Sequence, residues 1–151
     1  MNILDDIDKI ILNRIQSDFP ISPHPYQAIA ENLSLTETDV LNRVSRLKKA
    51  GIIRRIGGNF VPEKLGYVST LCAARVPKDK LGAFKDTVNR FPGVTHNYQR
   101  DNRFNVWFTF IAPSMDIIEQ NLKKIADETG IDEILNLPAT TVFKIKAHFA
   151  L

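Results

Sequence analysis

The chain predicts an α+β protein in two parts, a winged helix-turn-helix followed by a ferredoxin-like βαββαβ domain. Three features carry that reading. Residues 5–51 hold three stretches with apolar residues at helical spacing, separated by a proline-rich break and a tight turn. Residues 52–61 read as a small hairpin turning at Gly58-Asn59. Residues 67–149 then run strand, helix, strand, strand, helix, strand. The boundary is expected between residues 62 and 63.

In the first part, Ile7, Ile10, Ile11, Leu12 and Ile15 make one helical face, and Asp5 is placed to cap that helix. The run Phe19 to Pro25 carries three prolines and ends it. A short helix is expected over residues 26–32. Thr36 with Asp39 three residues on reads as an acidic capping box, Val40, Leu41, Val44 and Leu47 as the stripe of a third helix, and Gly51 as its stop. Arg43, Arg46, Lys48, Arg54 and Arg55 cluster on this helix and the wing. They read either as phosphate contacts to DNA or as a solvated helix face.

In the second part, strands are expected at residues 67–76, 94–100 and 103–111, with a last extended segment at 134–137 and 140–149 interrupted by Pro138. Helices are expected at 80–90 and 115–129, the second ended by Gly130. A two-residue turn at Asp101-Asn102 pairs Arg100 with Arg103, Tyr98 with Asn105 and His96 with Trp107. Alternation then sends Phe104, Val106, Phe108 and Phe110 towards the helices. It sends His96, Tyr98, Arg100, Arg103, Asn105 and Trp107 to the other face. A four-residue loop keeps the same parity; a three-residue turn breaks it. That second set joins imidazole, phenol, guanidinium and indole groups. Such groups clamp carboxylates, stack on flat ligands, donate a proton or ligate a metal. Tyr, Trp and Arg also populate subunit interfaces, so a ligand site and an oligomer contact are both open readings.

Composition narrows the function classes. The chain has 151 residues, 44% of them hydrophobic, and no apolar run approaches the ~18 residues of a membrane span. Asp5, Asp6 and Asp8 leave no basic start or apolar signal core, so a cytoplasmic location is expected. The single Cys72 excludes an internal disulfide and a cysteine-built metal site, and it reads as a small buried residue. A net charge of +3 suits DNA and an anionic small ligand equally. His24, between two prolines, reads as surface. His148, on the strand side shared with Lys144 and Lys146, reads as part of a basic rim or as solvated.

The order of elements, with Ala30-Glu31-Asn32-Leu33-Ser34-Leu35-Thr36, Arg43-Val44-Ser45-Arg46-Leu47, Gly51-Ile52-Ile53-Arg54-Arg55 and Lys64-Leu65-Gly66, resembles the Lrp/AsnC family over nearly the whole chain. Members of that family dimerise through the C-terminal sheet and bind amino acids between subunits. A narrower resemblance lies in Arg54 to Phe60, Gly93-Val94-Thr95-His96-Asn97-Tyr98-Gln99-Arg100, the strand Phe104 to Thr109, and Leu137-Pro138-Ala139 with Phe143-Lys144-Ile145. These look like the sirohaem (siroheme) decarboxylase branch, which includes the haem d1 biosynthesis subunits. The strand Thr70 to Arg75 is similar to the A-type subunit. Phe104 departs from the pattern, standing where a tyrosine is expected, which puts any hydroxyl role there in doubt.

The resemblance implies a cytoplasmic carboxy-lyase that converts sirohaem to 12,18-didecarboxysirohaem, with a paralogous subunit in a heterodimer, or as a homo-oligomer. For that substrate the sheet face makes His96 and Tyr98 the expected catalytic groups, with His96 alternatively the axial ligand of the substrate iron, and no cofactor beyond that iron-containing substrate is expected. Arg100, Arg103, Asn105, Trp107, Lys144 and His148 are the expected substrate contacts. The rival expectation is an Lrp/AsnC-type regulator, with or without a response to haem, reading DNA through Arg43, Arg46, Lys48, Arg54 and Arg55.

Overall fold

The structure is a computed structural model and describes residues 4–144, 148–149 and 151. The chain divides into two compact units, Met1–Gly58 with Lys144–Leu151, and Asn59–Phe143. The sequence placed the boundary four residues later and assigned the C-terminal segment to the second part.

The first unit holds three helices, α1 (Asp6–Ser17), α2 (Pro25–Glu31) and α3 (Glu37–Lys49). Asp5 caps α1 by accepting from the Asp8 amide at 2.7 Å, while Asp8 accepts from the Asp5 amide. Pro25 opens α2, where its missing N–H costs nothing. Thr36 and Asp39 form the expected capping box on α3. Gly51, at φ +73°, lets the chain leave that helix in the left-handed region. Ile11, Ile29, Val40, Val44, Leu47 and Ile53 close a small core.

The expected wing is absent: residues 52–61 form no strand. Ile53 is buried and Ile56 packs on the same core, so the segment follows the helices instead of pairing with itself. The amides of Ile52 and Ile53 both donate to the Leu47 carbonyl and finish α3. The expected last strand beyond Pro138 is not formed by residues 139–144. The chain returns to α1: Gln16 donates to the Phe149 carbonyl and accepts from the Phe149 amide, and Asn13 donates to the Leu151 carbonyl.

The second unit is β1 (Val68–Ala74), α4 (Leu81–Asn89), β2 (Val94–Gln99), β3 (Val106–Ala112), α5 (Met115–Thr129) and β4 (Ile134–Leu137). The strands form one sheet in the order β2-β3-β1-β4, every neighbouring pair antiparallel. One sheet face supplies Cys72, Ala74, Val106, Phe108 and Phe110 to the core. Phe84 and Val88 of α4 and Ile118, Leu122 and Ile125 of α5 meet them there. Full burial of each large side chain stabilises this layer by about 1.5–3 kcal/mol.

The β2–β3 hairpin differs from expectation in two ways. Its loop is four residues long: the Arg100 amide donates to the Asn105 carbonyl at 2.8 Å, and Tyr98, not His96, faces Trp107. Asn102 stabilises the loop by accepting from the Phe104 amide. The shift is even, so the faces are preserved. The second difference is a bulge. Val94 pairs with Phe110, but His96 pairs with Thr109, so Thr95 is an extra residue. Without it, a strand that buries Val94 would bury His96 as well. With it, both Val94 and Asn97 turn inward while His96 and Tyr98 stay outside. Gly93 permits the close approach before the bulge: a Cβ there would lie 2.2 Å from the Ile111 carbonyl oxygen, whose own amide donates to Gly93.

Candidate functional site

The strand pairings lay out the helix-free face of the sheet as rows. One row runs Leu137, Leu71, Thr109, His96; the next runs Leu135, Ala73, Trp107, Tyr98. The third continues the same pairings through Arg75, whose amide donates to the Glu133 carbonyl, to Asn105 and Arg100. The face is therefore an apolar and aromatic strip with a charged end. Leu71, Leu135, Leu137 and Tyr98 are each 40–50% exposed, which is unusual for four such residues on one surface.

His96 is exposed and its ring stacks on Tyr98, with centroids 5.9 Å apart. Its Nδ1 lies 3.1 Å from the Thr95 hydroxyl. Among the described residues Nε2 has no hydrogen-bond partner, and the residue is exposed. The Arg100 guanidinium lies over the Trp107 ring at 5.9 Å. Trp107 is oriented by its indole N–H, which donates to the Phe104 carbonyl at 2.7 Å.

The structure thus brings His96, Tyr98, Arg100 and Trp107 together on one face. Other expected contacts behave differently. Asn105 is not available to a ligand in this arrangement: its side chain accepts from the Val76 amide and donates to the Val76 carbonyl, both at 2.8 Å. Arg103 lies over Phe104 and donates to Glu133, which also accepts from Arg75. Desolvation raises the Glu133 carboxyl, but the hydrogen bonds from Arg103 and Arg75 outweigh it and hold it below the ordinary carboxylate range. Lys144 and His148 belong to the first compact unit, where His148 Nδ1 sits 3.4 Å from the Ser17 hydroxyl of α1. Lys146 lies outside the described residues. Cys72 is fully buried, and burial pushes its thiol up to about 12, as expected of a core residue with no nucleophilic role. Among the described residues no group of three His, Cys, Asp or Glu side chains is placed to hold a metal ion.

Sequence reading missed Arg75, Glu133 and the leucines of the strip. The alternation Leu71, Ala73, Arg75 along β1 carries the signal, but it acquires meaning only once β1 is known to lie beside β3.

The first unit gives a second result. Arg43 donates to both Asp5 and Asp8, and Arg46 donates to Asp8, at 2.6–2.8 Å. Burial raises the Asp8 carboxyl, but the hydrogen bonds from Arg46 and Arg43 prevail and lower it below the ordinary range. Two of the five cations expected to meet DNA are therefore turned towards α1. Lys48, Arg54 and Arg55 remain exposed.

Family comparisons agree with both units. Residues 8–54 match the siroheme decarboxylase NirDL-like HTH domain, and residues 64–144 match the AsnC-like ligand binding domain. The siroheme decarboxylase alpha subunit of Desulfovibrio desulfuricans is 51% identical over 98% of this chain and 85% of that protein. The chain belongs to the siroheme decarboxylase family. The alpha subunit of Nitratidesulfovibrio vulgaris is 47% identical over 99% of the chain and 85% of its own length, in line with the expected A-type character. The crystal structure of the siroheme decarboxylase NirDL superposes with a TM-score of 0.68 at 31% identity, over 97% of this chain and 48% of that one. The leucine response regulatory protein of Mycobacterium tuberculosis superposes better, at 0.80 over 96% and 99% of the two chains, but at 19% identity. It shows the shared Lrp/AsnC-type fold. No described helix is long and apolar enough to cross a membrane.

Proposed function

We propose that this siroheme decarboxylase family member is the alpha-type subunit of a cytoplasmic carboxy-lyase. It removes the carboxyl groups of two acetate side chains of sirohaem, giving 12,18-didecarboxysirohaem for haem or haem d1 formation. Its partner is a paralogous subunit, and no cofactor is added. The observation that carries the reading is the single exposed face bearing His96, Tyr98, Trp107 and Arg100. It offers flat apolar surface for a macrocycle and cations for its acids.

Each turnover breaks the bond between an acetate methylene and its carboxylate. CO2 leaves, the electron pair is delocalised into the macrocycle, and a proton is added to the carbon, leaving a methyl group. A guanidinium on the reacting carboxylate would oppose the loss of CO2, so the cations serve the non-reacting acids. His96 donates the proton, with Tyr98 stacked beside it, or it ligates the substrate iron through the free Nε2. Purified assembly carrying His96→Ala or Arg100→Ala, mixed with sirohaem without oxygen, tests this by the loss of carboxyl mass. Near-wild-type turnover in both variants would remove these residues from the reaction. Turnover retained in His96→Ala, with the iron spectrum altered, assigns the ligand role and not the acid role.

A DNA-reading role is disfavoured by the engagement of Arg43 and Arg46 with Asp5 and Asp8. Only weak, salt-sensitive, non-specific DNA binding is expected.

A further inference from the structure

The charged end of the sheet face holds more than the proposed site uses. Arg75 closes the β1 side of the strip, two residues beyond Ala73 in the row that ends in Arg100. Its Nη1 lies 3.0 Å from one Glu133 oxygen, and the Arg103 Nη2 lies 3.3 Å from the other. One carboxylate thus bridges two guanidiniums. All three side chains are about half exposed or more, so the bridge is held in water and is weak. A cavity of about 550 Å³ opens at this point, with Arg75, Lys78, Arg103, Asp132 and Glu133 on its walls.

We propose that Arg75 and Arg103 form a binding subsite for a non-reacting peripheral carboxylate of the tetrapyrrole, and that Glu133 holds the two guanidiniums in place until that carboxylate displaces it. This rests on the sheet-face reading above and deepens it. Two guanidiniums already converge on a carboxylate here, one on each of its oxygens. The register adds a spacing argument. The Arg75 row and the His96 row are four residues apart along β1, about 13 Å at ~3.3 Å per residue. A flat polyanion lying over Trp107 and Tyr98 can then place stable acids at the cationic end. It leaves the arm near His96 free of guanidinium, as loss of CO2 requires. The cavity walls carry three cations and two carboxylates, so an anionic arm is favoured even before Glu133 moves away.

The test uses the purified assembly and iron-uroporphyrin III, a polycarboxylate that reports its own binding by visible absorption. Arg75→Gln is expected to weaken binding about tenfold and to raise KM for sirohaem, with kcat retained. Glu133→Gln is expected to tighten binding severalfold, because the internal competitor is gone; damage to the fold would not produce a gain. Lys124→Gln, an exposed change of equal charge on α5, should bind as the wild type does. Equal affinity in wild type and Arg75→Gln, or weakening by Glu133→Gln, overturns the subsite. Equal weakening by Lys124→Gln also overturns it, since the effect would then be bulk charge. A wild-type assembly giving no spectral change with the probe overturns the sheet-face reading and the subsite together.

Discussion

The same motif occurs in both units: one carboxylate bridging two arginines. In the first it is Asp8 with Arg43 and Arg46; in the second it is Glu133 with Arg75 and Arg103. The chemistry is alike and the surroundings are not. The Asp8 side chain is 1% exposed, whereas that of Glu133 is 46% exposed. A buried carboxylate cannot exchange its partners for water or ligand without leaving an uncompensated charge. An exposed one gives them up readily. The first cluster is therefore part of the architecture of the helices, and the second remains open to an incoming acid. Residue type alone does not separate a structural arginine from a binding one; burial of its counter-ion does.

That contrast is open to direct attack. The largest expected effect lies in the second unit: His96→Ala lowers kcat about 10²–10⁴-fold while the unfolding midpoint stays put, since the ring is exposed. Steady-state rates beside thermal melts check it. In the first unit the signs reverse. Asp8→Ala is expected to cost about 1.5–3 kcal/mol of stability in urea unfolding, by removing the charge-assisted bonds from Arg46 and Arg43 and the Asp8 half of the α1 capping box. Glu133→Gln should leave the midpoint unchanged, and equal destabilisation by the two variants would erase the distinction. Next comes Gly93→Ala, where the new Cβ meets the Ile111 carbonyl. It is expected to cost about 1–3 kcal/mol and to lower activity by displacing the bulge that turns His96 outward. The smallest effect is in acid. The native Asp8 carboxyl titrates below its unfolded value. Its contribution is therefore complete above the ordinary carboxylate pKa of about 3.9 and fades as pH falls through the lowered native value. Denaturant midpoints of wild type and Asp8→Asn should converge below that range.

Much of this was legible beforehand, for identifiable reasons. Caps are local, so Asp5 and Thr36 with Asp39 could be placed on α1 and α3 from spacing alone. The faces of β2 and β3 survived an error in the loop because the error was even. What was not legible depended on distant partners. Nothing near Asn105 announces that Val76 will take its amide. Arg43 and Arg46 look like phosphate contacts until α1 folds across them with Asp5 and Asp8. The wing failed because Ile53 and Ile56 gain more from the helical core than from a short isolated hairpin. The bulge at Thr95 was hidden because alternation read from Val94 and alternation read from the loop disagree, and one strand cannot show which end governs.

The return of Phe149 and Leu151 to α1 has a consequence for how the protein is made. The first unit is discontinuous in the chain, with the whole of the second inserted between a long segment and a short one. On the ribosome, Gln16 and Asn13 have only each other while the sheet is synthesised, and they meet the Phe149 and Leu151 backbone after the sheet has emerged. The helical core can close from residues before Gly58 alone, and its carboxy-terminal fastening to α1 comes last.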